Sequence, residues 1–190
     1  MASLAELLRA HTRFDAARQA HLQRLVGSWG PLADLCFADL LLFVPVTGED
    51  RSFVVVGQVR PTTNQTVYRH DLVGEQVDDL ARPLVARAFR SGEIVEGEMN
   101  RSPLHDRVRV LCIPVRFQGQ VVAVVSRESM PTMGREPGEL ERTYVDVFNR
   151  FARMIAAGEF PFASEDSASD EAPRVGDGCV VLDRLSLIHI

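Results

Sequence analysis

Polar side chains gather between residues 60 and 71 in a pattern that suits binding better than catalysis. The residues that bring hydrogen-bond donors and acceptors together here are Arg60, Tyr68, Arg69, His70 and Asp71. A second polar group, ahead of a strongly apolar run, comprises Arg101, His105 and Asp106. Charged clusters are also common on ordinary solvated surfaces, so a binding site and a plain surface both stay open as interpretations.

The cysteines and histidines lack the spacing of a redox or metal site. Cys36, Cys112 and Cys179 lie far apart, and no CxxC or HxxxH spacing occurs. A lone cysteine in an apolar run usually packs in the core, as we expect for the first two. His11 and His21 lie on apolar helical stripes, where packing or an interface is the expected role. The sequence therefore predicts no metal ligands and no catalytic residues.

Composition indicates a globular chain with a sizeable core. The chain has 190 residues, of which 46% are hydrophobic, and its net charge of -5 gives no basic face for nucleic acid. No apolar run is long enough to span a membrane, and the N-terminus lacks the apolar core of a signal peptide. Few, scattered cysteines fit reduced thiols. We therefore expect a cytoplasmic protein that binds neither nucleic acid nor membranes.

The run VRVLCIPVRFQGQVVAVVSR predicts a β-hairpin with Gln118 and Gly119 in a two-residue turn. That turn pairs Val115 with Val122 and leaves both faces of the hairpin largely apolar. We expect a sheet covered on both sides, with a bulge or strand edge at Pro114, which lacks a backbone N–H.

The remaining patterns predict helices at both ends of the chain and a second hairpin between them. Two short helices are predicted before residue 30, the second capped by Asp15, and strands follow at 38–46 and 52–60 around a turn at 48–50. A short strand at 67–72 and a helix from Pro83 to residue 91 come next. The polar loop at 96–106, which suits a pocket lid, leads into the hairpin, and a helix at 139–157 ends at Gly158. This order predicts an α+β sandwich with a central antiparallel sheet flanked by N- and C-terminal helices.

The last helix carries a wide apolar stripe that must be buried. Its main members are Tyr144, Phe148, Phe151 and Ile155. The stripe suits packing against the sheet or the N-terminal helices, with a shared interface in a homodimer as the alternative.

Four segments together resemble one family of signalling proteins. They are the hairpin with its closing helix, LVGSWGPLADLCFADLLLFVPV, GQVRPTTNQTVYRHDLVG and FPFASEDSASDEAPRVGDGCVVLD. They look like the N-terminal GAF sensor region of cytosolic PdtaS-type sensor histidine kinases, in which a PAS domain and a kinase core follow. In GAF-like domains the ligand cavity lies between one sheet face and the connecting loops. The resemblance therefore implies that Arg60, Tyr68, Arg69, His70, Arg101, His105 and Asp106 line such a cavity.

The resemblance and a break in composition divide the chain into four parts. Residues 1–160 form the GAF-like sensor domain, and 161–174 form an acidic flexible linker. Residues 175–184 would begin a truncated PAS domain, and 185–190 resemble an artefactual tail. The Gly176-Asp177-Gly178 run then belongs to a turn, since a phosphate loop needs a preceding strand and a following helix.

The resemblance implies a sensory module that controls autophosphorylation of a two-component kinase, through a small ligand or through dimerisation. The chain has no counterpart of the phosphoacceptor histidine or the ATP-binding boxes, so it is not expected to act as a kinase alone. The implied partners are PAS and kinase domains in cis, a response regulator in trans, and a second copy. Alternatives are a stand-alone GAF-type free methionine sulfoxide reductase and a regulatory module of another signalling protein. Ligand and cofactor stay unspecified.

Overall fold

A six-stranded antiparallel sheet forms the centre of the computed structural model, which describes residues 2–49, 51–62, 64–100, 107–130 and 138–162. The strands are β1 (Asp39–Pro45), β2 (Ser52–Val59), β3 (Gln76–Asp78), β4 (Val95–Asn100), β5 (Arg107–Phe117) and β6 (Gln120–Ser129). The helices are α1 (Leu4–His11), α2 (Ala16–Gly27), α3 (Trp29–Cys36), α4 (Pro83–Ser91) and α5 (Glu139–Ala157). The strand order across the sheet is β3-β2-β1-β6-β5-β4.

Both faces of the sheet are covered, as the two-sided apolar pattern predicts. Alternate residues of β1 point to opposite faces, so Leu40 and Leu42 enter one core while Leu41 and Phe43 enter the other. The first core lies under α1, α2, α3 and α5. The second lies under α4 and the chain between β2 and α4. The predicted α+β architecture is confirmed.

Several helix ends follow the local signals in the sequence. The side chain of Asp15 accepts the backbone N–H of Arg18 at 2.8 Å, which caps α2 as predicted. Pro83 is the first residue of α4, where its missing N–H costs no hydrogen bond. Gly158 ends α5 in the left-handed conformation, with φ of 80°.

The β5–β6 hairpin has the predicted turn. Away from the turn, its strand pairing differs from the predicted pairing by one residue. Gln118 and Gly119 have φ of 49° and 79°, which are the two positive values that a type I′ turn requires. The register shifts between Val115 and Arg116, so Val115 pairs with Ala123 and the predicted Val122 partner is wrong. One extra residue in β6 accounts for the shift, since a bulge sets two residues opposite one.

Helix α3 is an element that the sequence patterns did not predict. The residues Gly27, Gly30 and Pro31 indicate the end of the second helix, and α2 does end at Gly27, but a new helix starts at Trp29. Pro31 lies in the first turn of α3, where a proline is tolerated because the early N–H groups have no partner within the helix.

Two further expectations about the second face are wrong. Residues 67–72 form bends and irregular backbone, because the N–H groups of Val67 and Tyr68 bind side-chain oxygens rather than a neighbouring strand. The first part of the predicted 96–106 loop is β4, which pairs with β5 from Val95 opposite Cys112 onward.

In the part of the chain that the structure describes, no helix is both long and apolar enough to cross a membrane. Some predictions fall outside the described residues. These concern Arg101, His105, Asp106 and Cys179, most of the linker at 161–174, the PAS start at 175–184 and the tail at 185–190.

Candidate functional site

An open cavity of about 430 Å³ lies on the second face of the sheet, where the chain enters α4. Its wall combines apolar side chains with a few polar ones. The lining residues are Tyr68, Leu80, Ala81, Arg82, Pro83, Glu98, Met99, Asn100 and Val108. Such a mixture is typical of small-molecule sites, in which a few polar groups fix the orientation of a ligand.

A fully buried carboxylate, Glu128 of β6, lies beside this cavity. Its Oε1 accepts Ser126 Oγ at 2.7 Å and Arg82 Nη1 at 2.8 Å, and its Oε2 accepts the hydroxyl of Tyr68 in a short hydrogen bond. A buried charge is tolerated only when it is paired and hydrogen-bonded in this way. Glu128 therefore organises two of the cavity-lining residues.

Arg82 connects Glu128 to the start of α4. It is the residue before Pro83, and its side chain is only 11% exposed. Its Nη2 donates to the Tyr68 hydroxyl at 3.1 Å, and its guanidinium lies 5.4 Å from the centre of the Phe43 ring. Charge, hydrogen bonds and a cation–π contact thus hold one side chain in a defined position.

Tyr68 contributes both its side chain and its backbone to the site. Burial and the neighbouring Glu128 carboxylate raise the pKa of Tyr68, so its hydroxyl stays protonated and donates. Its backbone carbonyl accepts Arg60 Nε at 3.1 Å, and Arg60 Nη2 also pairs with Asp71 at 2.8 Å. The loop after β2 is therefore tied to the buried cluster through Tyr68.

A second buried carboxylate, Asp39, lies opposite Glu128 across the β1–β6 pair. Asp39 accepts Thr66 Oγ1 at 2.6 Å and the backbone N–H of Val67 at 2.5 Å. Burial raises the pKa of Asp39, and the charge of Glu128 adds to that rise. Both carboxylates thus hold the same loop against the sheet.

The sequence-predicted binding residues occupy different environments. Tyr68 lines the cavity, while Arg60 contacts the site through the Tyr68 carbonyl. Arg69 and His70 are exposed to solvent, and neither is among the residues that line the cavity. Arg101, His105 and Asp106 lie outside the described residues.

Sequence reasoning missed the charged residues that organise the site, namely Asp39, Arg82 and Glu128. Two of them carried a usable signal. Asp39 interrupts the apolar stretch of residues 35–46, and Glu128 continues the inward-facing alternation of β6 after Val124 and Ser126. In a strand, residues two positions apart lie on the same face. A charged residue on a face whose other members are buried indicates a buried polar network.

On the opposite face of the sheet, β6 contacts α3 and α5 through Arg127. Its Nη2 donates to the Cys36 carbonyl at the end of α3, at 3.0 Å. Its guanidinium also lies 5.9 Å from the centre of the Phe148 ring in α5. Consecutive residues of β6 therefore serve the cavity face and the helical face.

The apolar stripe of α5 packs within the chain. Phe148 and Ile155 are buried in the first core. Tyr144 and Phe151 are partly buried, with Tyr144 stacked on Phe37 at 6.2 Å and Phe151 edge-on to Phe160 at 5.1 Å between ring centres. Packing within the domain thus buries Phe148 and Ile155 and leaves part of Tyr144 and Phe151 accessible.

The two described cysteines are buried on opposite faces of the sheet, Cys36 in the first core and Cys112 in the second. Burial raises the pKa of Cys36 to about 11 and the pKa of Cys112 to about 12. His21 is buried against Phe117, with ring centres 4.9 Å apart. Among the described residues, no three His, Cys, Asp or Glu side chains cluster as metal ligands would.

Comparison with known proteins identifies the family. The family profile described as "Histidine kinase PdtaS, GAF domain" matches residues 4–147. The chain belongs to the PdtaS GAF family. A solved structure described as the sensor region of a sensor histidine kinase superposes with a TM-score of 0.82 at 36% identity, covering 98% of this chain and 64% of that one. The GAF-like fold predicted from the resemblance is confirmed.

Two relatives of this PdtaS GAF chain are named as sensor histidine kinases PdtaS. One, from Mycolicibacterium smegmatis, is 39% identical over 189 residues, and one from Mycobacterium tuberculosis is 40% identical over 188 residues. Each match covers 96% of this chain and 37% of the relative. The chain thus spans little more than a third of the length of these relatives and corresponds to their GAF sensor region.

Proposed function

We propose that this PdtaS GAF chain is the sensory module of a cytoplasmic two-component histidine kinase and that the cavity beside Arg82 receives its signal. One observation carries the proposal: the ion pair between Arg82 and the fully buried Glu128, 2.8 Å long, borders the cavity. A cavity occupant that contacts Arg82 or Tyr68 competes with Glu128 for their donors. Ligand occupancy then alters a buried charge network rather than a solvated surface.

Strand β6 would pass this change to the helical face. Glu128 belongs to the cavity cluster, and the next residue toward the turn, Arg127, contacts the end of α3 and the Phe148 ring of α5. A small displacement of β6 shifts the preferred packing of α5. The ligand selects one of two packings through its different affinity for them, which is a shift of populations.

The proposal includes the wider assembly. Residues 161–174 would tether the GAF domain to a PAS domain that starts at 175–184, and a kinase core and a response regulator would act downstream. The kinase would be a homodimer with α5 of each copy near the symmetry axis. Tyr144 and Phe151, which keep part of their surface accessible, would take part in that interface. The coding sequence after residue 184 tests the arrangement, since the proposal requires PAS and kinase segments there.

The cavity assignment is tested by screening metabolite pools for a ligand by native mass spectrometry and an absorbance spectrum of the purified chain. The variant Ala81→Trp fills the cavity from an exposed lining position, and the matched control Ala17→Trp places the same side chain on α2. We expect a bound mass that Ala81→Trp loses and Ala17→Trp retains. A mass retained by both variants would move the binding site elsewhere.

A further inference from the structure

Asp39 and Glu128 form a pair of buried carboxylates on the cavity face. They are directly opposite in the antiparallel β1–β6 pair, and both side chains are fully buried. Directly opposite side chains of an antiparallel pair lie within interaction distance, and two like charges there destabilise each other. One member of the pair is therefore driven toward its neutral form.

The hydrogen-bond partners indicate which member takes the proton. Glu128 accepts the Arg82 guanidinium, whose positive charge stabilises its ionised form. The donors that contact Asp39 are a threonine hydroxyl and a backbone N–H, which are neutral. Arg60 acts on Asp39 only through its field, and burial is the dominant influence on the Asp39 carboxyl group.

We propose that Asp39 is a proton-sensitive latch for the covering segment, residues 64–72, and that Thr66 relays its protonation state to Tyr68. Thr66 Oγ1 lies 2.6 Å from Asp39 Oδ1 and 3.0 Å from the Tyr68 carbonyl oxygen, yet it has one hydrogen. Ionised Asp39 accepts that hydrogen. Protonated Asp39 donates its own proton to Thr66 Oγ1, which frees the threonine hydrogen for the Tyr68 carbonyl.

The relay ends in the cavity cluster because Tyr68 belongs to both sites. Its carbonyl receives Thr66 and Arg60, while its hydroxyl donates to Glu128. The charged, titratable and hydrogen-bonding groups near Asp39 and Tyr68 come from every neighbouring element. They are Glu128 of β6, Arg60 after β2, Thr66 of the covering segment, Arg82 before α4 and Cys112 of β5. Protonation at Asp39 is thereby felt by a residue that lines the cavity.

The direction of the pH effect follows from proton linkage. When the covering segment opens, water reaches Asp39 and its pKa returns toward the ordinary 3.8, whereas the closed segment holds it higher. The closed state therefore binds the proton more tightly. Closure of the covering segment is most favourable below pH 3.8. It weakens as the pH rises from 3.8 to the raised pKa of Asp39.

A sensory role for the latch depends on the proposed function, but the proton-dependent closure itself does not. Closure is therefore measured on the 190-residue chain without ligand or kinase. The Asp39 carboxyl carbon is titrated by NMR, and protection of the Val67 and Tyr68 amides from exchange is followed over the same pH range. We expect Asp39 to titrate above 3.8. Amide protection should fall between pH 3.8 and the measured Asp39 midpoint, by about tenfold for each pH unit that separates the two.

Matched variants separate the latch from general stability. Asp39→Asn mimics the protonated state, so protection at Val67 should become independent of pH. Thr66→Val removes the relay, whereas Thr66→Ser keeps the hydroxyl and should behave as wild type. Asp146→Asn, at an exposed position of α5, is the control for charge. The latch is overturned if Asp39 titrates at or below pH 3.8, or if amide protection does not change as Asp39 titrates. Neither result bears on the proposal of a ligand cavity.

Discussion

Arg127 and Glu128 are adjacent in β6 and serve opposite faces of the sheet. Glu128 is fully buried beside the cavity, paired with Arg82 at 2.8 Å, while Arg127 binds the end of α3 at 3.0 Å under α5. Strand geometry enforces this, because successive side chains point to opposite sides. One strand thus connects the cavity face of the sheet with the face that α3 and α5 cover.

Arg82→Met should strongly destabilise the domain. The substitution leaves Glu128 buried without its cation, and breaking a buried pair from one side costs roughly 3 to 5 kcal/mol. Arg87→Met, at an exposed position of α4, the helix that Arg82 precedes, should change the free energy of unfolding by no more than about 0.5 kcal/mol. Urea unfolding measures both. Equal losses for the two variants would contradict a structural role for the ion pair.

The double variant Arg82→Met with Glu128→Gln should recover part of that loss. Removing the second charge relieves the unpaired carboxylate, so the two substitutions should be non-additive by more than about 1 kcal/mol. A complete double-mutant cycle in urea gives this coupling. Additive effects would mean that Arg82 contributes through packing on Phe43 rather than through Glu128.

Arg127→Met should loosen the contact between β6 and the helical face. The loss of a charged hydrogen bond to the Cys36 carbonyl and of the contact with Phe148 should cost about 1 to 2 kcal/mol. Hydrogen exchange should accelerate in α5 more than in α4. Arg109→Met, at an exposed position of β5, is the matched control, and a uniform change along the chain would argue against a specific link to α5.

Cys36 and Cys112 should resist alkylation in the folded chain at neutral pH. Their pKa values, raised to about 11 and about 12 by burial, leave almost no thiolate, which is the reactive form. Peptide mapping after iodoacetamide treatment, with and without urea, measures labelling at each site. Rapid labelling of the folded chain, or methionine sulfoxide reductase turnover that Cys112→Ser abolishes, would favour the reductase alternative.

The sequence patterns predicted the frame of the fold better than its cavity face. Caps and apolar periodicity located α2, α4 and α5 because those signals are local, and the Gln118-Gly119 turn did the same for the hairpin. Hydrogen bonds from the chain at 66–68 to Asp39 and Glu128 depend on residues some thirty to sixty positions apart, which no local pattern encodes. Predicting a strand at 67–72 therefore failed.

The candidate site shows the same limit in its individual residues. Tyr68 was found because it stands in a conspicuous polar cluster, whereas its partners Arg82 and Glu128 come from separate parts of the chain. Arg69 and His70 looked equivalent to Tyr68 in the sequence, but they point to solvent. The different environments of Tyr68 and its two neighbours become visible in the folded sheet.

The most direct test of the central claim is the autophosphorylation rate of the kinase that we propose to contain this chain. Glu128→Gln and Arg82→Met are compared with Glu96→Gln and Arg87→Met, which change exposed residues of the same kinds. We predict that the two cluster variants change the rate in the same direction by at least about fivefold, while the controls match wild type. Folded cluster variants with unchanged rates would contradict the claim that this network controls kinase output.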